Sequence, residues 1–156
     1  MKPVIRQEPG SNQIQTITRF DLRTAKDYYK LGEFLASTIP NFWPPERTPY
    51  GHKSVDQEGS WRGECARIIN AGGIILMTHI SLADSKAEPN LVGVCIGAPS
   101  GVNDREMEIK VNVAAYDAEN LRPAQRNALI DEAKDSGWIL GQPMITRVWV
   151  PLKKGE

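Results

Sequence analysis

Two histidines are the residues of this chain best suited to moving a proton near neutral pH. Each is followed two positions later by serine, in His52-Lys53-Ser54 and in His79-Ile80-Ser81. An imidazole titrates close to physiological pH, and a nearby hydroxyl can hold an oxygen of an anionic substrate. The plainer alternative makes His79 a hydrogen-bonded strand residue and His52 loop surface. A second stretch with chemical character is Asn41–Asp56, where Phe42, Trp43 and Tyr50 alternate with Pro44, Pro45 and Pro49. Aromatics in a proline-stiffened loop line a pocket, meet a partner, or plug the core after a helix. Cys65 and Cys95 show no metal-type spacing and read as buried free thiols. No phosphate-loop, dinucleotide-binding or nucleophile-elbow pattern is found, and two separate histidines without a cysteine pair do not suggest a metal site.

Charge and hydropathy narrow the setting. Lys+Arg 19 balances Asp+Glu 19, so no net field draws the chain to nucleic acid or an anionic membrane. Hydrophobic residues at 40% and charged residues at 24% are those of an ordinary globular protein. The longest apolar run, around Ala71–Met77, is too short to span a bilayer, and Met1–Arg6 lacks the apolar core of a signal peptide. With only two cysteines, a reducing cytoplasm is the expected compartment. The expected organisation is a loose arm over residues 1–13 and a single domain over 14–152.

The elements that must position these residues follow from periodicity. Ile14–Phe20 has β-branched strand character. A helix from about Thr24 to Ile39 carries Ala25, Tyr28, Leu31, Phe34 and Leu35 on one stripe, with Thr24 and Asp27 approximating a capping box. A second helix starts near Ser60, with Trp61, Cys65, Ile68 and Ile69 at helical spacing, and ends at Asn70–Gly73. Ile74–Leu82 and Leu91–Ala98 read as a long-looped strand pair. In Met107–Ala115, Met107, Ile109, Val111 and Val113 fall on one side and Glu108, Lys110 and Asn112 on the other, as in a half-buried strand. A polar loop follows, and then a helix with Pro123 in its first turn. Leu121, Ala128, Leu129 and Ala133 lie on one face of that helix, and Ser136-Gly137 stops it. Met144–Val150 is the last expected strand. The fold class is therefore α/β (α+β layered), a mixed and mostly antiparallel sheet with helices on both faces, in the order β-α-α-β-β-β-α-β.

That order resembles the acetyl-CoA-binding fold of the GNAT superfamily of N-acetyltransferases, in a truncated form. The stretch Val113–Leu129 stands where the family's fourth strand feeds the loop and helix that hold the cofactor pyrophosphate. The resemblance implies acetyl-CoA as cofactor, with Val113, Arg122, Gln125, Arg126 and Asn127 at its site. It also implies Glu108 as general base toward a small-molecule or protein amine, and Tyr116 as proton donor to the departing thiolate. Counting from Arg122, the family's two glycine places fall on Gln125 and Asn127, and Pro123 lacks an N–H. Arg122 and Arg126 would supply phosphate contacts in their stead. One reading is thus an acyl-CoA-dependent N-acyltransferase-like protein, and another is a degenerate member that has lost catalysis.

Two alternatives stand beside it. Thr78–Leu82 resembles the His-x-Ser/Thr-hydrophobic motif of the two-histidine phosphoesterases, which implies His52 and His79 as acid and base with Ser54 and Ser81 holding phosphate. The non-catalytic alternative is an interaction or assembly component docking through Phe42, Trp43 and Tyr50, with a homodimer along the C-terminal sheet edge. Acetyltransferase-like proteins with eroded cofactor loops occur in phage and mobile-element gene sets, so a phage protein is one expected source.

Overall fold

The structure is a computed structural model, and it describes residues 1–39, 57–102 and 105–140. Strand β1 (Val4–Arg6) pairs with β2 (Gln13–Arg19); helices α1 (Ala25–Thr38) and α2 (Gln57–Asn70) follow. Strands β3 (Ile74–Leu82), β4 (Asn90–Pro99) and β5 (Glu106–Ala114) come next, then a 3-10 segment at Tyr116–Leu121, helix α3 (Arg122–Asp135) and strand β6 (Ile139–Leu140). Among the described residues the sheet order is β1-β2-β3-β4-β5-β6. Each pair is antiparallel except β5 with β6, which is parallel. Loops join β1 to β2, β3 to β4 and β4 to β5, the antiparallel pair β2–β3 is connected through α1 and α2, and the parallel pair needs the α3 crossover.

The layers follow from where apolar surface had to go. Strand β3 opens with Ile74, Ile75, Leu76 and Met77, all buried, so both faces of the central sheet need cover. On one face Leu31 and Leu35 of α1 and Trp61, Cys65 and Ile68 of α2 pack on Ile75, Met77, Val94, Ile96, Val111 and Val113. On the other, Leu129 and Ala133 of α3 pack on Ile17, Ile74, Leu76, Cys95, Met107 and Ile109. Full burial of a leucine or isoleucine side chain stabilises by roughly 1.5–3 kcal/mol. The architecture is the expected α/β layering with helices on both faces.

Two bulges decide which side chains face which helix. The β4–β5 register shifts between Ile96 and Gly97, where Ile96 pairs with Val111 but Gly97 pairs with Ile109. Lys110 is therefore the extra residue. The predicted one-sided alternation of Met107, Ile109, Val111 and Val113 is corrected here. Met107 and Ile109 pack on the α3 side, whereas Val111 and Val113 pack under α1 and α2. An extra residue in a strand reverses the facing of everything beyond it, so β5 is half-buried as far as Lys110 and buried on both faces only from Val111 to Ala114. In β3–β4 the shift lies between Thr78 and His79, paired with Gly93 and Leu91, which makes Val92 the extra residue.

Element ends show local chemistry. Gly137 (φ 85) and Gly72 (φ 89) follow α3 and α2 in the left-handed region that favours glycine. Thr24 is the residue before α1, but its side chain makes no cap hydrogen bond, so the predicted capping box does not form. Asp21 instead accepts from the Arg23 backbone N–H at 2.9 Å and pairs with the Arg23 guanidinium. Val4–Arg6, expected in a loose arm, adds a strand whose three residues are all exposed. It is held by backbone pairing to β2, which leaves no apolar pattern to read. The predicted strand Met144–Val150 lies outside the described residues.

Candidate functional site

The start of α3 is where the resemblance places a cofactor. The buried residues of this helix are Gln125, Leu129 and Ala133, and Leu121 before it is buried as well. That is an unbroken i+4 series, so Gln125 occupies a core position of the helix. Its side chain is 0% exposed. The Thr78 hydroxyl donates to Gln125 Oε1 at 2.7 Å. Gln125 Nε2 donates to Asn112 Oδ1 at 3.0 Å and to the Val113 carbonyl at 3.1 Å, with the Val94 carbonyl at 3.5 Å. Asn112 Nδ2 donates in turn to the Arg122 carbonyl at 3.1 Å. One amide thus ties the first turn of α3 to β3, β4 and β5. Space for it exists because residue 93 is glycine: a Cβ there would stand 1.9 Å from Gln125 Oε1.

This arrangement does not fit the pyrophosphate seat that the resemblance implies. Such a seat needs backbone N–H groups turned outward at a helix N-terminus. Here α3 is already helical from Arg122, so the N–H groups of Arg126 and Asn127 are committed to carbonyls four residues back. Gln125 faces the core and the Val113 carbonyl is taken by its amide, while the Arg126 and Asn127 side chains are exposed. Glu108 lies near the start of β5 and Tyr116 in the 3-10 segment beyond its end, and the six steps from Glu108 to Ala114 span roughly 20 Å of backbone. Glu108 pairs with Lys110 at 3.0 Å, and of Tyr116 only the backbone is described.

The other predicted group, His79 and Ser81, faces a pocket of about 290 Å³ on the α1 side of the sheet. Its lining is Thr16, Lys26, Asp27, Lys30, His79, Ser81, Glu88 and Pro89. Register puts Thr16 of β2 directly opposite His79 of β3. Lys26, Asp27 and Lys30 come from the first turns of α1, and Glu88 from the β3–β4 connection reaches both lysines, with Lys30 Nζ at 3.0 Å. Hydrogen bonds from Lys26 and then Lys30 hold the Glu88 carboxyl down to about 2. Sequence reading missed Thr16, Lys26, Lys30 and Glu88, because three separate elements supply them and only the strand register unites them. Phe42, Trp43, Tyr50, His52 and Ser54 lie outside the described residues.

Burial lowers the His79 imidazole below its ordinary 6.5, Asp27 and Glu88 raise it, and Lys30 lowers it further. The folded protein therefore holds His79 neutral where the unfolded chain has begun to take up a proton. Stability from this residue is intact above 6.5 and is lost as pH falls from there through the lower folded value. The expected result is an NMR titration midpoint for His79 below 6.5. Urea unfolding midpoints should decline between pH 7.5 and 5.5, less steeply in His79→Gln. A midpoint at or above 6.5 would contradict the half-buried placement.

The thiols add no chemistry. Cys65 and Cys95 are both buried and free; burial pushes Cys65 up to about 12 and Cys95 higher still. Among the described residues no cluster of histidine, cysteine, aspartate or glutamate could hold a metal ion, and no helix is long and apolar enough to cross a membrane. In comparisons with family models, curated proteins and solved structures, the chain matches none.

Proposed function

We propose that this chain is a non-catalytic binding protein on an acetyltransferase-like frame, a degenerate relative that no longer transfers acyl groups. The frame is the antiparallel β3–β4–β5 meander followed by the α3 crossover into parallel β6. One observation carries the reading: Gln125 spends its side chain inside the sheet at the place where a cofactor would need bare backbone. Thiol release from acetyl-CoA, measured over a panel of small amines and lysine peptides, is expected not to rise above the spontaneous rate. Release that vanishes in Glu108→Gln would restore the transferase.

The partner in this reading is a second copy of the chain, in a reducing cytoplasm, meeting along the C-terminal sheet edge, where β6 is the outermost strand among the described residues. An open strand edge invites such pairing. Sedimentation across a hundredfold range of protein concentration is expected to show a dimer, and a monomer throughout would remove the second copy.

A further inference from the structure

The pocket between α1 and β3 holds an anion already, supplied by the chain itself. Glu88 is exposed and belongs to the loop joining β3 to β4, yet its carboxylate is held by the ammonium groups of Lys26 and Lys30. The two lysines stand one helical turn apart on α1, so a single carboxylate can bridge them. Below them lie Thr16, His79 and Ser81, lining the same pocket. None of these three makes a side-chain hydrogen bond among the described residues. The site is therefore a cationic pair above a floor of polar groups with capacity to spare.

We propose that this pocket binds a small hydroxy carboxylic acid, whose carboxylate displaces Glu88 from between Lys26 and Lys30 while its hydroxyl meets Thr16, His79 and Ser81. Charge selects the class. Lys26 and Lys30 are balanced by Asp27 and Glu88; with Glu88 swung out, two positive groups face one negative group. A net charge of one matches a monocarboxylate better than a phosphate dianion. The volume of about 290 Å³ admits an acid with a few carbons beyond its carboxylate. Neutral His79 offers one donor and one acceptor, which suits a hydroxyl. Glu88 then acts as a competitor tethered to the site, and ligand binding frees the loop that carries it.

The test is an NMR titration of the full chain with 4-hydroxybutyrate at constant ionic strength, following the amides of His79, Ser81 and Glu88. Butyrate and inorganic phosphate are the comparison probes. Glu88→Gln removes the tethered competitor and is expected to tighten 4-hydroxybutyrate binding by roughly two- to fivefold, the scale of an exposed ion pair. Lys30→Met is expected to weaken it by a similar factor, and butyrate should bind less well than the hydroxy acid. Both substitutions fall on side chains at the pocket rim, and an unchanged amide spectrum elsewhere verifies the fold. Equal affinity in Glu88→Gln and wild type would overturn the proposal. So would phosphate binding in preference to the acid, or no loss in Lys30→Met.

Discussion

Replacing Gln125 with leucine is expected to destabilise the protein by about 2–4 kcal/mol, although leucine is close in size and a better core residue on any hydropathy scale. Gln125 is the shared partner of the Thr78 hydroxyl, Asn112 Oδ1 and the Val113 carbonyl. Thr78 is 0% exposed and Asn112 3% exposed, so water does not reach these groups to compensate. A buried polar group left without a partner costs roughly 1–3 kcal/mol, and partial relaxation keeps the total below the simple sum. For a chain of this size the change corresponds to a fall of about 4–16 °C in melting temperature. Urea unfolding measures it. A neutral outcome would mean that the amide is a passenger and that packing alone seats α3.

The second large effect is expected at Gly93. Alanine there places a methyl group 1.9 Å from Gln125 Oε1 and 2.9 Å from its Cδ, so the amide must leave or the strands must part. Gly93→Ala is expected to cost about as much as losing the amide, again roughly 2–4 kcal/mol. The two sites are in contact, so their effects should not add. In a Gln125→Ala background the added methyl fills vacated space and replaces the most flexible residue in a strand, which favours alanine by roughly 0.5–1 kcal/mol. The double-mutant cycle should therefore show a coupling of roughly 2.5–5 kcal/mol, at or above the upper end for residues in contact. Additive costs would show that the glycine serves some other neighbour.

Much of this fold was legible because burial and periodicity agree. The stripe Leu31–Leu35, the spacing of Trp61, Cys65 and Ile68, and the apolar run Ile74–Met77 each predicted an element and its buried face. The bulges were legible only in part. Gly93 stands beside the extra Val92 and Gly97 opposite the extra Lys110, and glycine inside a strand often marks a bulge, but pairing with the neighbour decides which strand takes the extra residue. Strand β1 left no trace because its side chains bury nothing, while Lys2 and Pro3 beside it suit an exposed edge.

Gln125 was half legible. Leu121, Gln125, Leu129 and Ala133 fall at strict i+4 spacing, and that series was readable. A polar residue at the second of its four places, among three apolar ones, is the signal of a buried hydrogen-bonded side chain. Its partners Thr78 and Asn112 lie on other strands, so their convergence had to wait for the fold. The same is true of the Glu88 bridge, where a loop residue meets a helix lysine 58 positions before it in the chain.

Calorimetric titration of the wild-type chain with acetyl-CoA, with CoA as control, bears most directly on whether the Gln125 tie has replaced a cofactor seat. The predicted result is no heat and no change in melting temperature up to millimolar ligand. Micromolar binding, with amide shifts confined to Leu121–Asn127, would contradict it and return the chain to the transferases.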